Sequence, residues 1–78
     1  MTSAESELRA LVAELAELDP AELDLDTPFS AVGIDSLLAM EIVVHVEGRF
    51  AVRFEESDVK GIQTLRQLLA MVAARTHG

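Results

Sequence analysis

The chain predicts an all-α domain, a bundle of three main helices with one or two short helices. Three observations predict it. Apolar residues recur at helical spacing in three separated segments. Capping signatures or a Gly turn precede each of those segments. No stretch alternates at period two for long, and Ala51-Val52-Arg53-Phe54 is too short to count as a strand. The 78 residues allow one small domain, 1–78, with no room for a second core.

The first helix carries Leu8, Leu11, Val12, Leu15 and Leu18 as one stripe at i, i+3, i+4, i+7 and i+10. Thr2 with Glu5 resembles its capping box. Asp19-Pro20-Ala21-Glu22 reads as a stop and a single-turn restart: Asp19 caps, Pro20 suits the first helical position, and Glu22 follows three after the cap. A long loop runs from Leu23 to Asp35, and loops of that length are functional or pinned by side chains. Leu23, Leu25, Phe29 and Val32 are its expected anchors.

The second helix spans Ser36 to Arg49 or Phe50. Steps of 100° place Ala39, Ile42, Val43, Val46 and Phe50 in one core-facing sector. Leu37, Met40 and Val44 fall nearly opposite, flanked by Glu41, Glu47 and Gly48. A small bundle needs only one apolar face per helix, so the second stripe is surplus to folding. Ser57-Asp58-Val59-Lys60 forms a short helix stopped at Gly61. Thr64 with Gln67 opens the last helix, whose buried stripe is Leu65, Leu68, Leu69 and Val72, with Met71 beside it. The last few residues, His77 among them, are expected to fray.

A domain this small buries only about 60% of its unfolded surface and cannot house a deep active site. Its aromatics are Phe29, Phe50 and Phe54, so the core is aliphatic. It has no cysteine, which suits a reducing cytoplasm. No run approaches a membrane span, and the start lacks the basic residues of a secretory signal. The net charge is -8. Residues 1–35 hold nine acids and one base, Arg9, whereas residues 36–78 hold five of each. The acidic front half argues against nucleic acid and favours a basic partner surface; it also serves simply to keep a small domain soluble.

Chemistry concentrates at Val32-Gly33-Ile34-Asp35-Ser36-Leu37-Leu38. One reading makes Ser36 a plain N-cap. The other makes it a modified serine, since a helix start offers unpaired N–H groups and a positive dipole to a phosphodiester. No histidine base lies in the motif, so another enzyme would have to modify it. Asp35 is either a turn residue complementing the helix dipole or a carboxylate helping that enzyme hold metal and substrate. Leu37, Met40 and Val44 are either partly core, if the helix is rotated, or a partner-docking stripe in which adaptable Met and aliphatic side chains meet several partners. The run from Asp24 to Asp35 fails as a calcium loop, because Pro28 and Phe29 occupy its fifth and sixth positions. His45 lies one turn from Glu41, which predicts a surface pair.

Gly33-Ile34-Asp35-Ser36-Leu37, heading the second helix of an acidic helical chain, resembles the acyl carrier proteins. The resemblance extends over almost the whole chain: the leading helix, the loop with Pro28-Phe29, the second helix with Glu41, Phe50, the short third helix and the last helix after Ile62-Gln63-Thr64-Leu65. It implies that a phosphopantetheinyl transferase places the 4'-phosphopantetheine of coenzyme A on Ser36, and that the arm's thiol holds an acyl group as a thioester. It implies a shuttle, not an enzyme, with Leu37, Met40 and Val44 beside Glu41 and Glu47 as docking surface. The implied partners are that transferase, an acyl-loading enzyme (acyltransferase or ligase) and a ketosynthase or other synthase component, with no nucleic acid and no membrane, for a monomer in the cytoplasm. The thinly acidic second helix and the Leu37-Leu38-Ala39-Met40-Glu41 run look more like carriers of polyketide or mixed polyketide–peptide pathways than of fatty acid synthesis. A peptidyl or aminoacyl carrier with the same arm is the alternative, and an unmodified acidic helical adaptor is the third reading.

Overall fold

The structure, a computed structural model, describes residues 3–76. Four helices follow in order: α1 Ala4–Ala16, α2 Ser36–Phe50, α3 Glu56–Gly61 and α4 Leu65–Thr76. Two 3₁₀ turns, Pro20–Glu22 and Phe29–Val32, lie between α1 and α2. No strand occurs among the described residues. α1 packs against α2 and α4, and α3 packs against α2. The expected all-α bundle is the one observed.

α1 begins at Ser3, whose hydroxyl accepts the Ser6 N–H at 3.1 Å. The capping box read at Thr2 lies outside the described residues, as does His77. Leu8 and Val12 are completely buried, and Leu11 and Leu15 sit at the core's edge. Leu18 belongs to the core periphery but not to the helix. The chain turns left-handed at Glu17 (φ 57°), and the Leu18 N–H reaches back to the Ala13 carbonyl at 2.8 Å. That closure ends α1 just ahead of Pro20, which could not have continued it. Asp19 and Glu22 then cap the first 3₁₀ turn reciprocally, at 2.9 and 3.0 Å.

The segment from Leu23 to Asp35 is not a plain loop: its Phe29–Val32 stretch is a 3₁₀ turn. Leu23 and Phe29 are buried, Leu25 and Val32 are partly so, and Ile34 is a further buried anchor absent from the sequence reading. Polar ties complete the attachment. Arg9 donates to the Leu23 carbonyl at 2.8 Å. The Phe29 N–H reaches the Gln63 carbonyl (2.8 Å), and the Arg66 N–H reaches that of Leu25 (2.9 Å). The Arg66 guanidinium grips Asp26 with two bonds, at 2.7 and 3.0 Å, and holds that carboxyl below its ordinary range. Buried side chains alone would fix positions along this segment; the backbone bonds fix its direction.

α2 runs from Ser36 through Phe50, as expected, with Ile42, Val43 and Val46 buried and Ala39 and Phe50 at the core's edge. It ends in a left-handed residue that is not glycine, Ala51 (φ 55°). The expected stop at Gly61 is corrected. Gly61 is the last helical residue of α3, and Ile62 follows in extended backbone. Burial of Ile62 sets that exit, so no left-handed turn is needed. α4 opens as read: Thr64 Oγ1 accepts the Gln67 N–H at 3.2 Å, and Gln67 Oε1 accepts the N–H groups of Thr64 and Gln63. Leu65, Leu68 and Val72 are buried, with Leu69 and Met71 beside them.

The expected Glu41–His45 pair does not form. Both residues are exposed, and an exposed pair gains too little Coulomb energy to hold two side chains in one geometry.

Two glycines make opposite predictions. Gly33 has φ +83°, whereas Gly48 is helical, and a Cβ at either would meet nothing within 4 Å. Gly33→Ala is therefore expected to lose about 1–2 kcal/mol through backbone strain alone. Gly48→Ala is expected to gain about 0.5–1 kcal/mol. Denaturant midpoints of the two variants check both signs.

Candidate functional site

Asp35, not Ser36, caps α2. Its backbone is extended (φ -86°, ψ -178°), and Oδ1 accepts the Leu38 N–H at 2.8 Å. This corrects the reading of Ser36 as cap: Ser36 is the first helical residue. Its side chain is exposed, and its hydroxyl takes part in no hydrogen bond among the described residues. Helix geometry leaves the Ser36 and Leu37 N–H groups without acceptors on a preceding turn. A nucleophilic oxygen thus stands free beside bare backbone donors, at the positive end of the helix.

Two features upstream set that position. The 3₁₀ turn buries Phe29, and Gly33 closes it, with the Ile34 N–H bonded to the Phe29 carbonyl at 3.0 Å. Burial of Ile34 then anchors the residue immediately before the Asp35 cap.

Asp35 and Ser36 help to line a groove of about 620 Å³. Its apolar lining comes from Pro28, Phe29 and Ile34 ahead of α2, from Ala39 and Met40 within it, and from Val59 and Ile62 in and just after α3. Glu56, Lys60 and Gln63 add polar groups. The α3 contribution escaped sequence reasoning. Val59 and Ile62 were a three-residue apolar spacing in a segment too short to show which face it would bury.

The surplus stripe is outside. Leu37 is 71%, Met40 48% and Val44 62% exposed, so none of them is core. Met40 belongs both to this stripe and to the groove. Glu41 is exposed beside it. Glu47 is half-buried and accepts the Phe54 N–H at 2.8 Å, which ties the segment after α2 back onto that helix. Asp24 and Asp26 do not gather with other ligands; among the described residues no group of three His, Asp or Glu side chains could hold a metal ion. Nor is any described helix long and apolar enough to cross a membrane.

An accessible hydroxyl at a helix start, a groove that it helps to line and an unburied apolar helix face together fit a small helical carrier. The solved structures it resembles are of that kind. The oxytetracycline acyl carrier protein superposes with a TM-score of 0.77 at 30% identity, over 96% of this chain and 84% of that one. A 3-oxo-butyl acyl carrier protein from the actinorhodin polyketide synthase of Streptomyces coelicolor gives 0.78 at 26%, over 97% and 93%. Among curated proteins, the polyketide-8 synthase acyl carrier protein 2 of Streptomyces avermitilis is 34% identical over 88% of this chain and 80% of that protein. A non-reducing polyketide synthase of Monascus ruber is 35% identical over 83% of this chain, which spans only 2% of that synthase's length. Residues 6–72 match the family model of the phosphopantetheine attachment site. The chain belongs to that family, whose members carry 4'-phosphopantetheine covalently.

The cap geometry separates two adjacent residues. Asp35→Ala is expected to cost about 1 kcal/mol of stability through the lost cap. Ser36→Ala is expected to stay within about 0.5 kcal/mol of the parent, because an exposed hydroxyl without a partner is removed. Urea titrations of the two variants side by side check the order.

Proposed function

We propose that Ser36 carries the 4'-phosphopantetheine arm and that the chain holds acyl intermediates as thioesters for polyketide-type biosynthesis. The observation that carries this reading is the free Ser36 hydroxyl at the first position of α2, opening onto the groove, within the family match. Ser36 Oγ attacks the phosphorus beside the pantetheine of coenzyme A. The P–O bond to 3',5'-adenosine bisphosphate breaks, and the hydroxyl proton passes to a base of the transferase. The bare N–H groups of the first α2 turn favour the resulting phosphodiester anion. Asp35 is close enough in sequence to lend its second carboxylate oxygen to the transferase's metal. The arm's thiol supplies the thioester; the groove's apolar lining and polar rim suit an acyl chain bearing oxygen functions.

Leu37, Met40 and Val44, with Glu41 and Glu47 at their flanks, are the docking surface in this reading. The partners are a phosphopantetheinyl transferase, an acyltransferase or ligase that loads the arm, and a ketosynthase or other synthase component. All of these act where coenzyme A is available, in the cytoplasm.

Intact mass after incubation with coenzyme A, magnesium and a broad-specificity phosphopantetheinyl transferase tests the attachment. One phosphopantetheine should add to the wild type and none to Ser36→Ala. No addition, with the transferase active on a control carrier, would return Ser36 to a plain helical residue. Met40→Glu and Val44→Asp are expected to slow arm transfer several-fold at unchanged helicity, because each places a charge in an apolar contact. Loss of the circular-dichroism signal instead would move those residues into the core.

A further inference from the structure

We propose that Arg75, in the last turn of α4, is a positioning residue for the groove at Ser36, holding the α3 wall of that groove through Asp58. The inference rests on the reading that Ser36 carries the arm. α3 has six residues, too few to persist as a helix by itself. None of them is buried, and Val59 alone packs at the core's edge. Yet Glu56, Val59 and Lys60 line the groove. Apolar burial within α3 therefore does little to set where this wall stands.

Arg75 supplies a hold outside the groove lining. Its Nη2 donates to Asp58 Oδ2 at 2.7 Å, and the same oxygen accepts the Glu55 N–H that starts α3, at 3.0 Å. The guanidinium also lies over the Phe54 ring, 5.3 Å from its centroid. Phe54 is in turn bonded through its N–H to Glu47 of α2. One side chain thus joins the end of α4, the first turn of α3 and the α2–α3 connection. The ion pair is partly shielded, with side-chain exposures of 33% and 23%, against 76% and 81% for Lys60–Glu56 on the same short helix. Shielding preserves an attraction that solvent and salt weaken for exposed pairs. Neither Arg75 nor Asp58 lines the groove, so each acts on it only through α3.

Backbone amide exchange of the arm-free chain and hydrolysis of a butyryl thioester on the loaded chain test this together. Arg75→Gln should speed exchange across residues 56–61 about tenfold while α1 and α2 keep their protection, since only the local opening becomes easier. The butyryl thioester, followed by intact mass, should then hydrolyse several-fold faster as water reaches the groove. Asp58→Asn should reproduce both effects, and the double variant should add little to either. Arg75→Lys keeps the charge without the planar fork and should fall between. Unchanged α3 exchange, or loosened α3 with unchanged hydrolysis, overturns the proposal, as does an equal loss of protection in α1 and α2. Failure of Ser36 to gain any phosphopantetheine removes the carrier reading and the proposal together; a mass gain with unmoved α3 exchange removes the proposal alone.

Discussion

Burial of the α1–α2 connection is the constraint on which the rest of this structure depends. A domain of this size has few large side chains, and here several of the buried ones, Leu23, Phe29 and Ile34, come from outside the helices. Their burial draws the 23–35 segment across the bundle. Its backbone polar groups then need partners, which Arg9, the Gln63 carbonyl and the Arg66 N–H supply. α2 can begin only where that segment releases it. The position of Ser36 is thus a consequence of core packing some residues upstream.

That arrangement separates two roles that a serine at a helix start usually combines. Asp35 satisfies the Leu38 N–H, which leaves the Ser36 hydroxyl without a structural task. Under the proposed attachment at Ser36 this division matters, because an oxygen engaged as a cap would have to abandon its bond before accepting a phosphoryl group. The same economy appears on α2, where one face holds Ile42, Val43 and Val46 in the core and the opposite face leaves Leu37, Met40 and Val44 in water. Exposed aliphatic groups do not stabilise a free domain, which is why the proposed docking surface is placed on that face.

α3 is the exception to apolar assembly. It is joined to the body by Ile62 in the core and the Phe54–Glu47 bond at its flanks and by the Arg75–Asp58 pair in its first turn. Polar attachment gives a helix a defined position with a low cost of local opening.

Much of this was legible in the residues themselves. Stripes at helical spacing settle α1, α2 and α4, because a bundle this small can bury such a face in only one way. Asp19 with Glu22, and Thr64 with Gln67, announce their caps through contacts three residues long. The all-α class, the two-faced α2 and the singular position of Ser36 followed from local pattern. What local pattern could not decide were the helix ends and the groove. α1 and α2 turn left-handed at Glu17 and Ala51, where no glycine marks the place, while Gly61 stays helical. Those ends are set by which downstream residue reaches the core, Leu18, Val52 or Ile62. The groove needs Val59 and Ile62 together with Ala39 and Met40, a meeting of segments about twenty residues apart that only closure of the whole bundle brings about. Local bonds and periodicity are written within a few residues of chain; apposition between distant segments is decided by the packing of the core.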